Sequence, residues 1–242
     1  MTELSDFVKA GNQGVNPAVY EIENAAIDPD GTLWAHLEAV APWAGRRLLD
    51  LGCGSGFWLP RYADAAQVIG VEPDPDLLPL AQARPGGAQV LRGSAEHIPL
   101  PDASVDVVHA RFAYFFPDPD FDATPGLHEV QRVLATGGTL VVIDNDHDDG
   151  EFAELLAVSP WAAKQGTGSY ILDWWREHGA TSEAVLSSWS FETRADLETV
   201  LRLEFPADVA DPWLRAHRHR LGLSYGYMVH TWRPRGPGRH AA

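Results

Sequence analysis

Basic residues and cysteine are scarce in this chain, and long apolar runs are absent. Only 18 Lys and Arg stand against 34 Asp and Glu, a formal charge of −16 at pH 7. Such a field repels phosphate backbones and anionic lipid headgroups over most of the surface, so neither nucleic acid nor membrane is expected as a partner. The single cysteine, Cys53, can form neither an internal disulfide nor a thiolate zinc cluster. No run approaches the roughly 18 to 20 apolar residues that a membrane span needs. No charged-then-apolar segment opens the sequence either, and a cytoplasmic location is expected.

What is present is globular in kind. Hydrophobic residues make up 45% and charged residues 21% of the 242 positions, with tryptophan and phenylalanine spread throughout, enough for a substantial core. The one basic cluster is the terminal stretch Arg233-Pro234-Arg235-Gly236-Pro237-Gly238-Arg239-His240, which reads as a frayed end. There is no internal repeat and no Gly/Ser-rich linker that would divide the chain.

Short apolar, β-branched runs alternate with longer helical stretches, which predicts βαβ units and a mostly parallel sheet. Strands are expected at Arg47–Leu51, 67–71, Gln89–Arg92, 105–110 and 139–144, with apolar centres suited to cover on both faces. Helices are expected near 60–65, 77–84 and 126–134. The second carries Pro79 about one turn in, so it should start late or kink. From Asp144 the polar run to Gly150 reads as a loop. A helix at 170–178 should stop at Gly179, and a sixth strand at 184–191 leads to a capping box, Thr193-Arg194-Ala195-Asp196, opening a helix to Leu203. The period-two run 223–232 suits a seventh, antiparallel strand.

The decisive segment is Leu48-Leu49-Asp50-Leu51-Gly52-Cys53-Gly54-Ser55-Gly56-Phe57-Trp58, a buried strand entering a turn with three alternating glycines. Glycine is needed where the backbone takes positive φ or must approach a ligand with no Cβ between. A dinucleotide fingerprint would place glycine where Phe57 stands, and a phosphate loop would end on Lys-Ser/Thr. Neither pattern is met. Glu72 closes the second strand in Val68-Ile69-Gly70-Val71-Glu72-Pro73, where a carboxylate can accept hydrogen bonds from both hydroxyls of a ribose.

Together with Gly93-Ser94-Ala95-Glu96-His97-Ile98-Pro99-Leu100-Pro101-Asp102 and Glu129-Val130-Gln131-Arg132-Val133-Leu134-Ala135-Thr136-Gly137-Gly138, these blocks resemble the class I S-adenosylmethionine (SAM)-dependent methyltransferases over about residues 46 to 145. The resemblance implies a Rossmann-like, doubly wound α/β sheet of seven strands, mostly parallel with the last antiparallel. It implies SAM as cofactor and methyl transfer to oxygen, nitrogen or carbon of a small-molecule acceptor; a homodimer is left open. The whole chain reads as one domain: a leader or lid over 1–45, a cofactor core over 46–145, acceptor-side insertion and C-terminal strands over 146–232, and a flexible tail over 233–242.

Carried over by position, the family pattern assigns the methionine half of SAM to Asp50 and the backbone of Gly52, Cys53, Gly54 and Gly56. Glu72 would grip the ribose, Pro73 would flank the adenine, and Ser94, Ala95 and Glu96 would meet the adenine edge. The family usually has Asp where Ser94 stands. Arg111, with Phe112, Tyr114, Phe115 and Phe116, follows the fourth strand, where the family places residues that touch the methionine end or wall the acceptor pocket. Cys53 has no histidine adjacent in sequence and reads as a structural turn residue.

The cluster Asp144, Asn145, Asp146, His147, Asp148 and Asp149 could supply a base, hold a divalent cation or be a solvated loop. No metal is assigned, and the base role falls to His147 with Asp146. Trp161, Tyr170, Trp174 and Trp175, in the roughly forty residues that follow, would shape a site for a flat or apolar acceptor. Two rivals remain: a SAM-binding protein that transfers no methyl group, as in a cyclase-like relative, and a dinucleotide-dependent oxidoreductase, disfavoured by Phe57.

Overall fold

A computed structural model of the protein describes residues 4, 6–160, 162 and 168–234. Trp161 and residues 235–242 of the arginine-bearing tail lie outside the described residues. Seven strands form one sheet: β1 (Arg47–Leu51), β2 (Gln67–Glu72), β3 (Gln89–Arg92), β4 (Val105–Arg111), β5 (Leu134–Asn145), β6 (Thr181–Ser190) and β7 (Gly222–Trp232). Their spatial order is β3-β2-β1-β4-β5-β7-β6. Neighbours from β3 to β5 pair in parallel, and β7 runs antiparallel to both β5 and β6. The expected doubly wound sheet with an antiparallel last strand is therefore present.

The chain steps outward from β1 through β2 to β3 and returns to lay β4 on the other side of β1. Such a reversal opens a crevice at the carboxyl ends of the two central strands. Alternation along β1 sends Leu48 into one core layer and Leu49 and Leu51 into the other, all nearly inaccessible. The first layer is covered by α1 (Pro17–Ala26), α2 (Thr32–Val40) and α5 (Glu151–Ala157), together with α7 (Arg194–Glu204) and α8 (Ala207–Ala216). The second is covered by α4 (Thr124–Val133), through Leu127, Val130 and Val133, and α6 (Ser169–Glu177), through Ile171, Trp174 and Trp175. A short α3 (Leu78–Gln82) follows β2.

Several boundaries differ from expectation for local reasons. Pro79 sits in the first turn of α3, where its missing N–H is tolerated, so the helix starts late and is short. The helix expected near residue 60 is a 3-10 turn, Leu59–Tyr62. β5 runs from Leu134 rather than 139 and goes one residue past Asp144: Asn145, read as loop, pairs with Tyr227. Four helices went unread. α1 is opened by Asn16, whose side chain accepts from the Val19 amide, with proline in the first turn. α2 is held by Asp28, whose two carboxylate oxygens accept from Leu33 and Trp34. α5 follows the acidic run, and α8 contains Pro212. The Thr193 cap forms as expected, accepting from the Asp196 amide at 3.2 Å.

Candidate functional site

The first candidate site is built by three strand ends. Register sets Asp50 opposite Gly70 and His109, so Glu72 and Arg111, each two residues further along, fall on the same face as Asp50. Gly52, Gly54 and Gly56 all take positive φ (74°, 58° and 76°), which turns the chain sharply after β1. A Cβ on Gly52 would stand 2.6 Å from that of Ala113, just after β4, so the two segments meet tightly.

Glu72 is 4% exposed and locks the turn to the end of β2: Oε2 accepts from the Gly54 amide at 2.6 Å and Oε1 from the Asp74 amide at 2.8 Å. Each oxygen keeps a lone pair for a further donor. Burial pushes its carboxyl up to about 7, against the pull of those two amides. Asp50 is likewise pushed up, to about 6, by burial that the nearby Arg111 charge partly offsets. The Arg111 guanidinium lies 4.1 Å over the Trp58 ring, and its Nη1 is buried with no hydrogen-bond partner. Tyr20 and Glu23 of α1 lie close by, and burial, with the Glu204 charge second, drives Glu23 well above the usual carboxylate range.

A cavity of about 420 Å³ opens along these ends. Gly52, Glu72, Pro73, Ser94 and Ala95 line it, together with Phe112, Tyr114 and Phe116 from the aromatic run. Ser94 is 3% exposed, and its Oγ has no partner. Phe112 and Tyr114 hold positive φ, 47° and 60°, which bulky residues adopt only when their surroundings enforce it. The Tyr114 hydroxyl donates to Glu96 at 2.9 Å and accepts from the Gly126 amide at 3.1 Å. Phe115 instead packs in the core.

Cys53 turns its side chain into a small core with Leu59, Ala81 and Val90, and burial raises its thiol well above its ordinary value. Only its backbone belongs to the turn. Asp50, Gly54, Gly56, Glu96 and Arg111 border the glycine turn or the cavity rim without lining the cavity.

The leader contributes more than sequence reasoning supplied. Asp6, Phe7, Val8, Lys9, Ala10 and Gln13 line the cavity, and the Gln13 carboxamide lies directly over Gly54. Asp6 accepts from the Glu96 amide at 3.2 Å, and Lys9 pairs with Asp76 at 2.5 Å. These are isolated polar groups without periodicity, so no pattern marks them.

The expected base pair lies elsewhere. His147 and Asp146 line a second cavity of about 310 Å³, whose lining shares no residue with the first. Asp144 and Asp148 join them there, yet no group of three ligating side chains suited to a metal occurs among the described residues. Trp174 and Trp175 are core residues, Trp175 stacking on His230, and Tyr170 faces solvent. Of that helix, Ser169, Ile171 and Leu172 reach the second cavity.

Residues 49–142 match the sequence family described as "Methyltransferase domain". An uncharacterized methyltransferase of Mycobacterium tuberculosis is 35% identical over 131 residues, 54% of this chain and 50% of its own length. The chain thus spans about half the length of the curated relatives it matches. Among solved structures, the YcgJ protein of Bacillus subtilis superposes with a TM-score of 0.56 at 18% identity, covering 86% of this chain and all of the other. The [4+2]-cyclase SpnF does so with a TM-score of 0.52 at 20% identity, over 84% of this chain and 81% of the other. The match over residues 49–142 to the methyltransferase-domain family agrees with the strand order and the glycine turn.

Proposed function

We propose that the protein binds SAM in the cavity at the ends of β1, β2 and β3 and transfers its methyl group to a small molecule. The observation that carries this reading is the joint placement of Asp50, Glu72 and Arg111 on one face around the glycine turn. Opposite charges at Asp50 and Arg111 suit the amino and carboxylate groups of the methionine part, and the unpartnered Arg111 Nη1 is a donor in want of an acceptor. Glu72, its orientation fixed by two amides, would take the ribose hydroxyls. Ser94 Oγ, with the backbone of Ala95 and Glu96, would meet the adenine edge, and Pro73 its face. Residues 6–13 would act as a lid, since they line the cavity and are tied to its rim by Lys9 and Asp6.

When bound, SAM supplies a methyl group already activated by its sulfonium centre, so the chain need mainly align donor and acceptor and exclude water. The reading uses no general base and no metal: His147 and Asp146 line the other cavity. A small-molecule acceptor is favoured by the net charge of −16, which disfavours nucleic acid.

Calorimetric titration with SAM, S-adenosylhomocysteine and NADH tests the cofactor assignment: the first two bind and NADH does not. Because SpnF shares the fold, release of S-adenosylhomocysteine in the presence of an acceptor separates methyl transfer from a cyclase-like use of the cofactor. Tight SAM binding without such release across alcohol, amine and carbon-acid acceptors would favour the latter.

A further inference from the structure

The second cavity has a built interior of its own. Asp144 faces away from Asp50, Glu72 and Arg111: it alternates along β5 with Ile143, which belongs to the layer of Leu48, and it shares the face of Val142 in the other layer. Asp144 is 3% exposed, and one oxygen accepts from the Asn145 amide at 2.7 Å. Asp146, 4% exposed, accepts from Asp148 at 3.0 Å.

His230, 1% exposed, supplies the independent observation. One ring face is covered by Trp175 and Nδ1 is held by Ser182 Oγ at 2.7 Å, while Nε2 has no partner. Ser182 and Trp175 are not part of the lining and His230 is, which leaves its Nε2 edge for the cavity. A buried polar atom without a partner costs free energy unless a ligand or water meets it. Burial lowers His230 to about 3 and lowers His147 as well, so neither ring brings positive charge.

Leu156, Ile171, Leu172 and Met228 supply apolar lining beside the polar Asn145, Asp148 and Ser169, and no Lys or Arg occurs among the described lining residues. Carboxylates and acceptors together with aliphatic side chains, and no cation among the described lining residues, match one ligand chemistry. We propose that this cavity, which shares no lining residue with the cofactor cavity, is a second small-molecule site that takes an apolar amine as its ammonium ion. Asp144 is its counter-ion, and His230 Nε2 is a further acceptor in the tautomer whose Nδ1–H donates to Ser182 Oγ.

Phenethylamine tests this, with phenylacetate as a probe of similar shape and opposite charge, each titrated calorimetrically into the wild-type chain. The expected result is saturable binding of phenethylamine and none of phenylacetate at the same concentration. Asp144→Asn should weaken the amine at least about tenfold, and Leu172→Trp, which fills a partly exposed wall, should abolish it. Circular dichroism establishes that both variants fold. Equal binding of both probes, no binding of the amine, or wild-type amine affinity in folded Asp144→Asn overturns the proposal. SAM titrated into the same samples reports separately: its failure to bind would sink the cofactor assignment and leave the amine result standing.

Discussion

The Glu72 carboxylate accepts the Gly54 amide at 2.6 Å, tying the end of β2 to the turn that follows β1. One side chain therefore shapes the turn and also lines the cavity.

Glu72→Ala should weaken SAM binding by about 1.5 to 3 kcal/mol, because charge-assisted hydrogen bonds to the ribose are lost. It also strands the Gly54 and Asp74 amides, so the free protein should lose about 1 kcal/mol or more of stability. Glu72→Gln, which keeps an acceptor oxygen, should fall between. An unchanged dissociation constant in the alanine variant would remove the second strand from the site.

Gly54 and Gly56 should behave differently when substituted. A Cβ on Gly54 meets only the movable Gln13 carboxamide, so Gly54→Ala should fold, at a cost of about 1 to 2 kcal/mol for its positive φ, and lose SAM affinity. A Cβ on Gly56 would stand 2.9 Å from the Ala81 backbone, so Gly56→Ala adds a clash to the strain and should cost about 2 to 5 kcal/mol. Thermal melts with and without SAM distinguish them; equal melting temperatures would contradict the assignment.

The pH dependence has a definite sign. Asp50, Glu72 and Asp144 are raised to about 6, 7 and 7 in the folded chain, against ordinary values near 4 when unfolded. The folded state holds protons that the unfolded chain releases, so stability of the free protein falls as pH rises from about 4 to 7. SAM favours the ionised forms of Asp50 and Glu72, and its affinity should rise over about pH 6 to 7. Melting temperature without ligand should therefore drop between pH 5.5 and 8 while the SAM-induced increase grows. A SAM-induced increase that shrinks toward pH 8 would contradict it.

Cys53, its thiol buried and raised, should resist a thiol reagent in the folded protein and react fully in guanidinium. Cys53→Ala should keep SAM affinity within about threefold, since only the backbone belongs to the turn. Rapid labelling of native protein would reopen a chemical role for the thiol.

Much of the fold was legible because short apolar runs between polar turns mark strands: β1 and β3 were read to the residue. β5 was not. The strand was expected to end at Asp144, yet the backbone of Asn145 also stays in the ladder with β7, and the Asp144 side chain lines a cavity that no local pattern reveals. α8 was hidden by Pro212, although Val209, Ala210, Trp213 and Leu214 keep helical spacing. Asp50, Glu72 and Ser94 were readable because motif spacing fixes them to strand ends. Gln13 and Lys9 were not, since tertiary folding alone carries them across the glycine turn. His147 and Asp146 follow the end of β5 as expected, but sequence order could not say which of the two cavities they line.

Hydrogen–deuterium exchange with and without S-adenosylhomocysteine tests the cofactor site most directly, because the amides of Gly54, Asp74 and Glu96 report on its three edges. The account predicts added protection over residues 51–57, 71–76 and 93–97, with residues 144–150 unchanged. Protection confined to 144–150, or none at the glycine turn, would contradict it.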